Sequence, residues 1–165
     1  IEKMLKDNEQ NFKAQIANDN SEGQIVLSGK IDDLDKLIAI LKENTIKNIM
    51  LPVSAPFHSS LMNKATTIMS RELNKLNFSQ VENKLISNVT AKEISSTEQL
   101  KELLIKQIEN RVRWRESVIN MINNDVNHFI EIGPGKVLSG LVKRINKDVK
   151  INTINNQGDI EGLEI

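Results

Sequence analysis

Apolar and polar positions along this chain follow two periods, and the switches between them mark the elements. Residues 1–9 place Ile1, Met4 and Leu5 on one face of a helix. Phe12 to Ala17 alternates as a strand does. The cluster Asn18-Asp19-Asn20-Ser21-Glu22-Gly23 is turn chemistry, and Gln24 to Ser28 is a second strand closed by Gly29. Ile31, Leu34, Leu37, Ile38 and Leu41 return at helical spacing, and Ile49 to Val53 reads as a third strand. The order α-β-β-α-β is a ferredoxin-like pattern without its first strand. Residues 1–54 are therefore expected to form a small ferredoxin-like subdomain.

Beyond residue 55 the helices lengthen. Leu61, Met62, Ala65, Ile68, Met69, Leu73 and Leu76 make one apolar stripe. Lys84 to Ser87 predicts a short strand. Ser96 and Gln99 predict a capping box for a helix through Leu100, Leu103, Leu104 and Ile108. Trp114, Val118, Ile119 and Ile122 mark another helix. Phe129 to Ile132 is a strand entering Gly133-Pro134-Gly135, followed by a helix over Val137 to Ile145 and a last strand over Ile151 to Ile154. Alternating strands and helices predict an α/β layer arrangement with a largely parallel sheet over residues 55–165.

The 165 residues, 39% of them apolar, suffice for a real core. Acidic and basic residues balance at 22 each, so no global field marks a nucleic-acid or membrane binder. With no cysteine, a thiolate nucleophile is excluded, and two histidines argue against a metal site built from several imidazoles. That usage suits a reducing cytoplasm. No apolar run approaches the ~20 residues of a membrane span. The chain opens on Ile1, already inside an amphipathic pattern, and is expected to be cut from something longer.

The richest stretch is Leu51-Pro52-Val53-Ser54-Ala55-Pro56-Phe57-His58-Ser59-Ser60-Leu61-Met62. It sets a histidine after a proline-bearing turn, at the mouth of the long helix. There the positive end of the helix dipole is expected to favour neutral imidazole, the form that accepts a proton near pH 7.

Three segments in this order carry a resemblance: Pro56-Phe57-His58-Ser59-Ser60-Leu61-Met62, the helix end Lys106-Gln107, and Glu131-Ile132-Gly133-Pro134-Gly135-Lys136-Val137-Leu138 with its continuation to Ile145. Together they resemble the C-terminal half of the malonyl-CoA:acyl carrier protein transacylases of fatty acid biosynthesis, and residues 17–29 resemble that family's small subdomain. The resemblance implies an α/β-hydrolase-like acyltransferase core over 55–165. It also implies transfer from malonyl-CoA, through an acyl-serine, to the phosphopantetheine thiol of acyl carrier protein, with no cofactor or metal. By its motif His58 is the base, oriented by the backbone carbonyl of Gln107, so exchanging Gln107 for Ala is expected to do much less than exchanging His58 for Ala. Phe57 matches a position that goes with malonyl over methylmalonyl selectivity, and packing against the helix explains it equally well. Asn18 and Asn20 match positions near the acyl pocket, and turn stabilisation accounts for them equally well.

The remaining candidates are weaker. Gly133-Pro134-Gly135-Lys136 lacks the spacing of a phosphate loop and reads as a strand-to-helix turn. Lys136, Lys143 and Arg144 fit coenzyme A phosphates or an acidic carrier protein, and Arg111, Arg113 and Arg115 flank Trp114. Solvated faces explain both sets more simply. The family's serine elbow, G-x-S-x-G, occurs nowhere in the chain. The chain by itself is thus expected to have no turnover and, with an apolar face unpartnered, low stability without the N-terminal half of the enzyme. The alternative is a non-catalytic relic or carrier-protein-binding module.

Overall fold

The computed structural model describes residues 1–80 and 82–163. Helix α1 (Glu2–Asp7), strands β1 (Ala14–Ser21) and β2 (Gln24–Gly29) and helix α2 (Ile31–Glu43) come first. The strands pair antiparallel from Ala14 opposite Gly29 to Ser21 opposite Gln24. Phe12, Leu37 and Leu41 form the core beneath the hairpin, with Met4, Leu5, Leu27 and Leu34 packed around it. Ile31, expected on the buried stripe, is 72% exposed at the mouth of α2.

The expected turn from Asn18 to Gly23 is shorter than its composition suggests. Asn18, Asp19, Asn20 and Ser21 continue β1, and only Glu22-Gly23 turns, with Gly23 at φ 75°. The reason is tertiary. Residues 17–19 pair along their outer edge with Val112: its N–H donates to the Ala17 carbonyl at 2.8 Å, and its carbonyl accepts from Asp19 N–H at 2.9 Å. That ladder overrides a local preference worth tenths of a kcal/mol.

The third strand is absent. Residues 46–53 form no ladder among the described residues, and Ile49 and Val53 stand 83% and 62% exposed. A strand is made by its neighbour, and no described segment pairs with this one. Lys84 to Ser87 likewise reduces to a single antiparallel bridge, Ile86 to Glu93.

A 3-10 turn (Ser60–Met62) leads into α3 (Asn63–Asn74), then α4 (Thr97–Lys106) and α5 (Trp114–Asn123). Ser96 caps α4 by accepting from Gln99 N–H at 3.2 Å; the return arm, Gln99 Oε1, accepts from Ser95 rather than Ser96. Strand β3 (His128–Ile132), helix α6 (Val137–Ile145) and strand β4 (Lys150–Ile154) form a parallel β-α-β unit in register from His128–Lys150 to Ile132–Ile154. It packs on α5 through Val118, Val142 and Val149. The parallel pairing agrees with the sequence pattern, although each sheet among the described residues has two strands. A short helix the periodicity did not announce, α7 (Gln157–Glu161), ends the described chain. Among the described residues no helix is long and apolar enough to cross a membrane.

Helix α3 leaves part of its apolar stripe uncovered. None of its residues is buried, and Ile68 and Met69 are 62% and 46% exposed. The mouth of α6 is similarly bare at Ile132 and Val137.

Candidate functional site at His58

Three elements converge on His58. Its Nδ1 lies 2.8 Å from the carbonyl oxygen of Gln107, 49 residues away. A carbonyl only accepts, so Nδ1 carries the proton, and in the neutral ring Nε2 holds the free lone pair. Gln107 is the C-cap of α4, where the last carbonyls of a helix lack intrahelical donors. The imidazole fills one of those vacant partnerships. It is therefore bound to the carbonyl end of α4.

The backbone at His58 is left-handed, φ 57°, a costly conformation for a side chain of this size. Neighbouring bonds hold it there. Ser59, 1% exposed, donates its hydroxyl to the Pro56 carbonyl at 2.7 Å. Gln15 on β1 accepts through one oxygen from both the N–H and the hydroxyl of Ser60, at 2.8 and 2.9 Å. The strand, the turn and the end of α4 are thereby fixed around one ring.

His58 lines a groove of about 370 Å³ with Glu2, Leu5, Gln15, Ile16, Glu109, Asn110 and Arg111. A larger hollow of about 720 Å³ shares Leu5 and Gln15 with it, contains no histidine, and includes Ser59 and Ser60 in its wall. Of the other candidates from the sequence, Gln107 meets His58 directly. Phe57 is 49% exposed. Asn18 sits opposite Val112 on the segment following α4, and Asn20 lies further along β1; neither lines the groove.

The arginines expected on solvated faces are tied into ion pairs. Arg115 clasps Asp19, itself 6% exposed, through two bonds of 3.1 and 2.9 Å, and that carboxylate raises the guanidinium pKa further. Arg111 bonds Glu2 at 2.7 Å, and Arg113 bonds Glu116 at 2.8 Å. Arg144 reaches the side chain of Gln24. These contacts join the hairpin to α5 and α6, and they leave few of these cations free for a ligand. Gln15 and the two serines were missed by the sequence reading. The serines adjoin the histidine and were findable as turn residues, but nothing near Gln15 signals its role.

The carboxylate of Glu131 closes the mouth of α6, accepting from Leu138 N–H at 3.1 Å and Ser139 N–H at 2.7 Å. The Ser139 side chain and these amides hold its carboxyl below the usual range. Glycine is needed in the connecting turn, where Gly135 has φ 95°. Among the described residues no group of three or more His, Cys, Asp and Glu side chains is arranged to hold a metal.

The chain matches the model of the family described as "Acyl transferase domain" over residues 2–157. A curated malonyl CoA-acyl carrier protein transacylase of Staphylococcus aureus (strain MSSA476) is 41% identical over 147 residues, 88% of this chain and 48% of that relative. The crystal structure of an acyl-carrier-protein-S-malonyltransferase from Bartonella henselae superposes with a TM-score of 0.92 at 40% identity, covering 98% of this chain and 52% of the other. A malonyl-transacylase solved in complex with a type II PKS acyl-carrier protein superposes with a TM-score of 0.90 at 30% identity, over 96% of this chain and 52% of that one. The chain thus spans about half the length of the relatives it matches. Sequence and backbone agree over nearly every described element, and the chain belongs to the acyl transferase domain family.

Proposed function

We propose that this chain supplies the histidine-bearing half of an S-malonyltransferase, acting on malonyl-CoA and acyl carrier protein. The observation that supports this most is the 2.8 Å contact from His58 Nδ1 to the Gln107 carbonyl, which leaves Nε2 as the proton acceptor. In the proposed cycle a serine hydroxyl from the complementary half attacks the malonyl thioester carbonyl, and Nε2 takes its proton. As the C–S bond breaks, the imidazolium returns that proton to the departing coenzyme A sulfur. In the second half-reaction Nε2 takes the proton of the carrier's phosphopantetheine thiol as its sulfur attacks the acyl-serine carbonyl and forms the new C–S bond. It returns that proton to the serine oxygen when the acyl-serine bond breaks.

The complementary half is the proposed cover for the bare faces at Ile68 and Met69 and at Ile132 and Val137. In that assembly residues 49–53 gain the strand partner they lack, completing the small subdomain as ferredoxin-like, and Phe57, Asn18 and Asn20 border the acyl pocket. The test is malonyl transfer by the assembled enzyme. His58→Ala should lower the rate by about 10²-fold or more, the usual worth of a general base. Unchanged turnover would remove His58 from the chemistry.

A further inference from the structure

Gln107 enters the reading above only through its backbone, yet its side chain is also held. Asn88 Nδ2 donates to Gln107 Oε1 at 3.2 Å. Asn88 is itself fixed by its main chain, because its carbonyl accepts at 2.9 Å from the N–H of Arg113, the N-cap of α5. The loop that presents it is closed on both sides. Ile86 bridges Glu93, Ser87 N–H donates to the Lys92 carbonyl at 2.9 Å, and Ala91 N–H donates to the Ser87 carbonyl at 2.8 Å. Asn120 on α5 donates to the Ala91 carbonyl at 2.8 Å, pinning the far side of the loop.

The C-cap of a helix is where the backbone frays, and Gln107 lies one residue beyond the last helical position of α4. A rotation of that peptide would swing its carbonyl away from His58 Nδ1 and release the ring to exchange tautomers. We propose that Asn88 is a positioning residue. By holding the Gln107 side chain against the start of α5, it fixes the carbonyl that keeps the proton on His58 Nδ1. This rests on the proposed role of His58 in proton transfer, but the geometry it asserts is measurable without turnover.

The experiment records imidazole nitrogen NMR of His58 in the intact protein, alongside kcat and KM for malonyl-CoA. Asn88→Ala and Gln107→Ala should each lower the ratio of the Nδ1–H to the Nε2–H tautomer about five-fold, the scale of one neutral hydrogen bond. The double variant should do no worse than either alone, because both remove the same bridge. Asn88→Asp should keep the ratio, since the Gln107 amide can turn over and donate to the new carboxylate. In the assembled enzyme Asn88→Ala should lower kcat by a similar factor with KM unchanged. An unaltered tautomer ratio in Asn88→Ala, or additive effects in the double variant, overturns the proposal. Should Asn88→Ala fail to fold, Gln107→Ala and Asn88→Asp decide it: loss in the first and retention in the second support the bridge, and equal ratios overturn it. If the ratios shift as expected but the wild-type assembly transfers no malonyl, the transferase reading fails while the positioning role stands.

Discussion

The C-terminal end of α4 leaves the Gln107 carbonyl without a helical donor, and the donor that meets it is His58, 49 residues away. The N-terminal end of α6 leaves amides without acceptors, and Glu131 meets them from only seven and eight residues away. Both ends face the same deficit of backbone partners. At α6 a local carboxylate satisfies it, and the negative charge also complements the positive end of the helix. At α4 the partner comes from a distant turn at the cost of a left-handed backbone at His58. The first arrangement stabilises a junction, and the second holds an imidazole in one orientation. Strain is tolerated at α4 because Ser59, Ser60, Gln15 and Gln107 over-determine the turn.

Substitutions at the two ends should separate these roles. The largest effect is at the α4 end, where His58→Ala should reduce malonyl transfer by about 10²-fold or more and shift the urea midpoint little. Equal losses of activity and stability would make His58 structural and erase the contrast. Next, Asp19→Ala should destabilise the protein by about 2 kcal/mol in urea unfolding, the scale for a hydrogen-bonded charged pair, by leaving Arg115 without its carboxylate. At the α6 end, Glu131→Ala should cost about 1 kcal/mol, as for loss of a helix cap, while the folded protein keeps its transfer rate. Gln15→Ala should cost about 1 kcal/mol and also slow transfer, because it frees Ser60 beside the ring. A Gln15 variant with full activity would show that the Ser59 and Gln107 contacts suffice.

The smallest effect is a dependence on pH. Folding holds the Glu131 carboxyl below its ordinary value of 4.5. Its contribution is therefore complete above about pH 4.5 and is lost as pH falls through the lower folded value. Urea titrations from pH 6 to pH 3 should show less acid sensitivity in Glu131→Gln than in the wild type.

How much of this was legible beforehand differs by element. The apolar repeats of α2 and α6 and the alternation of β2, β3 and β4 were readable because burial on one face writes a period into the sequence. The same stripe on α3 was read correctly as a helix, but none of its residues is buried, because periodicity marks an apolar face without saying what packs on it. Residues 49–53 carried strand-forming side chains and formed no strand, because pairing, unlike helix formation, needs a second segment. Of the site, His58 stood out by its turn, and Gln107 was reached through family resemblance; the spacing between them says nothing of a contact. Asn88 and Gln15 carried no local mark, because their work is a single side-chain bond across the fold.

By itself the sequence determined most of the helical segments and where the chain turns before His58. Those properties follow from local backbone preference and one-sided burial, which each segment carries with it. Only the tertiary structure decided the contact between the His58 ring and the Gln107 carbonyl, which asparagine bonds the Gln107 side chain, and which segment captures the edge of residues 17–19. Each of these is a hydrogen bond between groups far apart in the chain, and its geometry exists only after the cores have packed.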